Sequence, residues 1–138
     1  MIRVICAGDP TTLELSALIL ARPDDLGPFF SAFLEKLLGV RSTVSGASAG
    51  LRDVLSALSR EPFDLLLVTD NTLVRDQIRE VVSGVRSAYP GMAIIVVSGA
   101  ARPEFITDLV QRGANEVIPL PFEAEQLIAS VKRHCHFG

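Results

Sequence analysis

Asp70 closes the run DLLLVTDN (residues 64–71), in which Leu65 to Val68 lead an acid to what reads as the C-terminal end of a buried strand. Asp9 follows the apolar run IRVICA, and Ser98 ends the run AIIVVS. The chemistry open to these residues is that of carboxylate and hydroxyl oxygen. Imidazole is not near them in sequence: both histidines, His134 and His136, lie in the tail, and no Cys–His or Ser–His arrangement is readable.

Other chemistries are argued against by the same kind of inspection. The segment AGDPTT (7–12) lacks both G-x-G-x-x-G and a Walker lysine, so dinucleotide or nucleoside triphosphate binding is not expected. The stretch SGASAG (45–50) has small residues that could cradle an anion, but no convincing set of partners. His134, Cys135 and His136 are adjacent at a helix end, and neighbours i and i+1 do not share a face, so they do not converge on one ion.

The whole chain sets further bounds. At 138 residues and 49% apolar composition it is expected to form one folded domain over residues 1–138. A formal charge of −3 gives no footprint for nucleic acid. Two cysteines make no disulfide framework, which fits a reducing compartment. The N-terminus has no secretory signal pattern, and no apolar run approaches the roughly 20 residues of a membrane span. A cytoplasmic protein with no membrane partner is expected.

The elements that must position Asp9, Asp70 and Ser98 follow from periodicity. Strands are predicted at 2–7, 40–44, 63–69, 92–99 and 116–118, and the runs at 63–69 and 92–99 lack alternation, as in strands covered on both faces. Helices are predicted from about Thr11 to Ala21, from Phe29 to Gly39 after a loop at 21–28, and at 51–60, 73–88, 102–112 and 123–134. The order β-α-α-β-α-β-α-β-α-β-α argues for an α/β fold, a doubly wound parallel sheet. Ligands of such sheets bind beyond the C-terminal strand ends. Those ends are Gly8 and Asp9, Thr69 to Asn71, Ser98 with Gly99, and Leu120 with Pro121.

This set resembles the receiver domain of two-component response regulators, the CheY-like superfamily. Asp9 stands at the second acid after strand one, with Gly8 where the first would be. DLLLVTD is similar to the third strand, AIIVVSGAA to the fourth, and RGANEVIPLPF to the ending usually written GAxxYxxKPF. The resemblance implies a flavodoxin-like five-stranded sheet of order 2-1-3-4-5, here with an enlarged α1 region. It implies a phosphoacceptor aspartate after strand three. Counting back from Tyr89-Pro90-Gly91 and Ser98 favours Asp70; counting forward from Asp64 gives Thr69.

In that family Mg²⁺ lies between the acids and the transferring phosphoryl group, and a lysine pairs with the phosphoryl oxygens. Asp9 and Asp70 would be the possible Mg²⁺ ligands, and Ser98 a donor to the phosphoryl group. The lysine position holds Leu120, which has neither charge nor donor, and the usual switching aromatic is Val117. Arg102 and Arg112 fall on the following helix and would have to reach over. The chain therefore resembles an atypical receiver with a degenerate site, similar also to the domain that precedes the ATPase of CpaE-like pilus-assembly proteins. It is expected to be a non-enzymatic signalling module working through protein contacts. The partner is a protein or a second copy on about residues 101–134. The alternative is a working regulator phosphorylated on Asp70 with Mg²⁺ by a histidine kinase. It is either a single-domain regulator or the receiver portion of a longer chain.

Overall fold

The computed structural model describes residues 16–20, 26–38, 41–45, 51–60, 63–69, 75–99, 102–119 and 123–134. Five strands, β1 (Ser16–Leu20), β2 (Arg41–Ser45), β3 (Leu65–Thr69), β4 (Ala93–Ser98) and β5 (Glu116–Pro119), alternate with five helices. These are α1 (Leu26–Leu38), α2 (Leu51–Arg60), α3 (Arg75–Ala88), α4 (Pro103–Arg112) and α5 (Ala124–His134). All strand pairs are parallel, and the sheet runs β2-β1-β3-β4-β5. The expected doubly wound sheet and its order are as found.

Because successive strand side chains point to opposite faces, each strand feeds two cores. Leu18, Leu20, Leu66, Val68, Ile94, Val96 and Val117 face α2, α3 and α4, where Val54, Leu58, Val81, Val85, Phe105 and Leu109 cover them. Ala17, Ile19, Leu65, Leu67, Ile95, Val97 and Ile118 face the other way, onto Phe30, Phe33 and Leu34 of α1 and Leu127 and Val131 of α5. The missing alternation in β3 and β4 thus has its cause: both faces of these strands are covered by helices.

One expected element is corrected. The first strand of the sheet is Ser16–Leu20, where a helix was predicted, while the segment predicted as strand one, residues 2–7, lies outside the described residues. A short apolar run cannot be assigned to helix or strand by periodicity alone. Here pairing decides. SALIL is buried throughout and matches Ser16–Leu20 to Arg41–Ser45 on one side and Ala17–Leu20 to Leu65–Val68 on the other. Asp64 ties down its start: the Ser16 amide donates to Asp64 Oδ2 at 3.0 Å, and the Asp64 amide donates to the Ser16 carbonyl at 2.8 Å. It follows that the expected enlargement of the α1 region does not fall between the strands: among the described residues one helix, Leu26–Leu38, lies between β1 and β2, and residues 26–28, expected in a loop, begin it.

At the N-terminal ends of β4 and β5, Arg86 of α3 acts as a clasp. Its Nε and Nη2 donate to the Gly113 carbonyl (3.0 and 2.8 Å), Nη2 also to Asn115 Oδ1 (2.8 Å), and Nη1 to the Pro90 carbonyl (2.6 Å). Asn115 Oδ1 also accepts the Ile94 amide at 2.8 Å, so the clasp reaches the start of β4. Gly113 closes α4 with φ +127°, and a Cβ there would lie 2.6 Å from Arg86 Cγ. Gly113→Ala therefore meets both a disfavoured backbone and the clasp, and is expected to cost about 1–3 kcal/mol of stability, measured as a lowered urea midpoint; an unchanged midpoint would show that neither constraint matters.

Candidate functional site at the strand ends

The described residues at the C-terminal edge of the sheet are Leu20, Ser45, Thr69, Ser98, Gly99 and Pro119. Thr69 is the last residue of β3 and is fully buried. Its Oγ1 donates to the Leu20 carbonyl across the β1–β3 pair at 2.8 Å. A hydroxyl in that place satisfies the last carbonyl of β1 from within the protein, which a buried carbonyl requires. Ser98 ends β4, one strand over, and is fully buried as well. Gly99 follows it, exposed, with open space where a Cβ would stand.

Of the residues expected to act together, Ser98 and Thr69 are brought to neighbouring strand ends by the register Thr69↔Val97. Asp9, Gly8, Asp70 and Leu120 lie outside the described residues. Placing Gly8 and Asp9 after the first strand depended on a strand at 2–7; the strand that pairs with β3 instead ends at Leu20. In sequence, Ala21, Arg22 and Pro23 come next, and then Asp24 and Asp25. Locally the two runs are alike: SALIL is as continuous an apolar run as IRVICA and stands directly before a proline-containing, acidic segment.

A divalent magnesium ion asks for hard oxygen ligands, with carboxylates foremost. The described strand-end residues bring hydroxyls only, and that of Thr69 is given to Leu20. Among the described residues no group of three or more His, Cys, Asp and Glu could hold a metal. These residues by themselves therefore do not fit the ion.

The carboxylates that are described work elsewhere. On the helical layer formed by α3 and α4, Asp108 Oδ1 accepts from Arg112 Nε at 2.9 Å, while Oδ2 meets Arg79 Nε at 2.6 Å. Arg112 also reaches Ser83 Oγ at 3.2 Å, and the Arg79 guanidinium lies 5.5 Å from the centre of the Phe105 ring. Arg112 is thus engaged on the helices and is not at the strand ends. Its hydrogen bond, opposed by burial and aided by Arg79, holds the Asp108 carboxyl below the usual range. Val117, at the position of the family's aromatic, is buried in the core beneath α4.

On the other side, Glu116 starts the edge strand β5 and takes three donors on Oε1: Ser130 Oγ at 2.9 Å, Arg133 Nη1 at 2.6 Å and His134 Nε2 at 2.9 Å. Burial works to raise its carboxyl, but these hydrogen bonds outweigh it and the net direction is downward. A carboxylate depressed in the folded state stabilises it above the unfolded value, and that stabilisation is lost as pH falls through the folded value. Stability is therefore expected to decline on acidification below about pH 4. Asp108→Asn, having no carboxylate to protonate there, should decline less, as read by urea unfolding at neutral and acid pH. An equal decline in both proteins would remove Asp108 as a contributor.

No family model matches the chain, and no curated protein matches it in sequence. Solved structures do match its fold. A CheY-like response regulator receiver domain protein from Methanospirillum hungatei JF-1 superposes with TM-score 0.73 at 22% identity, covering 87% of this chain and 92% of that one. A pilus assembly-related protein from Burkholderia pseudomallei K96243 gives TM-score 0.75 at 18% identity, covering 88% and 92%. The receiver domain of a sensor histidine kinase from Pseudomonas aeruginosa PAO1, with a magnesium ion coordinated in its active-site cleft, gives 0.71 at 20%, covering 88% and 97%. Against the longer NtrX from Brucella abortus the chain spans 26% of that protein. The fold is that of response-regulator receiver domains.

Proposed function

We propose that this chain is a receiver-like signalling module, not itself an enzyme, that acts in the cytoplasm mainly through protein contacts and has a degenerate phosphoacceptor site. The receiver fold of its structural neighbours supports the signalling role. The observation that carries the degenerate reading is in the sequence: Leu120, which has neither charge nor donor, stands at the lysine position, while Asp70 is kept. Phosphoryl transfer needs charge gathered around the reacting oxygens. Thr69, neutral and buried with its hydroxyl given to the Leu20 carbonyl, brings no charge to the end of β3.

The contact surface fits residues 101–134. Val110 is exposed in the last turn of α4, and Ala129 is exposed on α5. Exposed acids stand at the helix starts (Glu104, Glu123, Glu125), and exposed bases at the ends (Arg112, Lys132, Arg133). A face whose charge reverses along its length suits a protein face of the same polarity laid antiparallel, a second copy included. The likeness to a pilus assembly-related protein is consistent with a receiver-shaped part used in assembly.

The second reading, phosphorylation on Asp70 with Mg²⁺ and Ser98 assisting, draws on the magnesium-bearing kinase receiver domain. Incubation with Mg²⁺ and acetyl phosphate followed by intact-mass measurement separates the two, with Asp70→Asn as control. No added phosphoryl group is expected. A phosphoryl gain that disappears in Asp70→Asn would overturn the degenerate reading and establish the second.

A further inference from the structure

Helix α5 is held by two kinds of contact that differ in chemistry. Leu127 and Val131 enter the core shared with α1, and are fully buried. The final turn is held instead by one carboxylate oxygen. Ser130, Arg133 and His134 stand at i, i+3 and i+4, which a helix places on one face, and all three reach Oε1 of Glu116. Ser130 does so from full burial, whereas Arg133 does so from the exposed rim, its side chain 57% accessible. The carboxylate therefore spans from the core to the surface across the whole last turn.

Glu116 belongs to β5, which among the described residues pairs with β4 alone and is an edge of the sheet. A groove of about 400 Å³ runs between this edge and α5, lined by Glu116, Pro119, Glu125, Gln126, Ala129 and Arg133. Two members of the carboxylate cluster thus form part of its wall. We propose that Glu116 is a latch: through a single oxygen it keeps the last turn of α5 wound and docked on the sheet edge. When its contacts are lost, that turn frays while the sheet remains intact. The chain leaves α5 from the latched turn, so the latch makes the end of this helix the part of the domain that yields first to anything altering the β5 edge.

Charge-assisted hydrogen bonds outlast neutral ones, although exposure of Arg133 weakens its share. Two substitutions grade the effect. Glu116→Gln retains a carbonyl oxygen for Ser130 and loses the charge that favours Arg133 and His134; Glu116→Ala loses every contact. Amide hydrogen exchange on the full chain is the measurement, followed residue by residue.

The expected result is exchange at Val131–His134 faster by roughly three- to tenfold in Glu116→Ala. Glu116→Gln should fall between it and the parent, and amides of β3 and β4 should not change. Arg133→Met, which keeps the helix-forming stem and removes the guanidinium, should accelerate the same amides less than Glu116→Ala. Unchanged protection in Glu116→Ala would overturn the proposal. So would a loss shared equally by β3 and β4, because Glu116 would then be an ordinary stability contact.

Discussion

The constraint on which this molecule depends is that its central strand is covered on both faces. Every residue of β3 is buried; β1 and β4 take its backbone hydrogen bonds, and its side chains divide between two cores. Nothing charged can stand within such a strand without a partner, because desolvating an unpaired charge is far too costly. Polarity can enter only at its ends. At the N-terminal end the Asp64 carboxylate accepts a hydrogen bond from the Ser16 amide, and at the C-terminal end the Thr69 hydroxyl donates one to the Leu20 carbonyl. Both ends of β3 are thus spent on holding β1 in register.

From this the division of labour among the helices follows. α2, α3 and α4 cover one face, α1 and α5 the other. The described charges then sort to the helix surfaces and the margins of the sheet: Arg86 at the turns before β4 and β5, Asp108 between α3 and α4, and Glu116 on the outer edge. Each of these links secondary elements that apolar burial alone would leave free to slide. A parallel sheet requires such ties because its strands are never joined by tight hairpins.

Much of this was legible in the sequence. LLLVT and AIIVVS announce covered strands by their lack of alternation, and α2, with Val54 and Leu58 inward, was bounded correctly at both ends. The first strand was not legible. IRVICA and SALIL are equivalent to a reading of local pattern, and the choice depends on which run meets Leu65–Val68 and Arg41–Ser45 in space. The expectation for Asp9 was tied to the same choice of run, and Asp9 lies outside the described residues. The tie between Thr69 and Leu20 was equally hidden: it joins residues 49 apart, and nothing in either neighbourhood announces the other. The Glu116 cluster could have been found in part, since Ser130, Arg133 and His134 share a helical face, but their partner on β5 required the fold.

The proposal that the strand ends do not act as a charge-driven switch rests on Leu120 at the lysine position and, among the described residues, on the neutral hydrogen bond from Thr69 to Leu20. The most direct measurement is an amide NMR spectrum of the whole chain, recorded without and with Mg²⁺ and beryllofluoride, a mimic of a bound phosphoryl group. The account predicts that the Leu20, Thr69, Val97, Ser98 and Gly99 resonances stay where they are. Saturable shifts at these residues, spreading to Val117 and α4, would contradict it and return the protein to phosphorylation-dependent signalling.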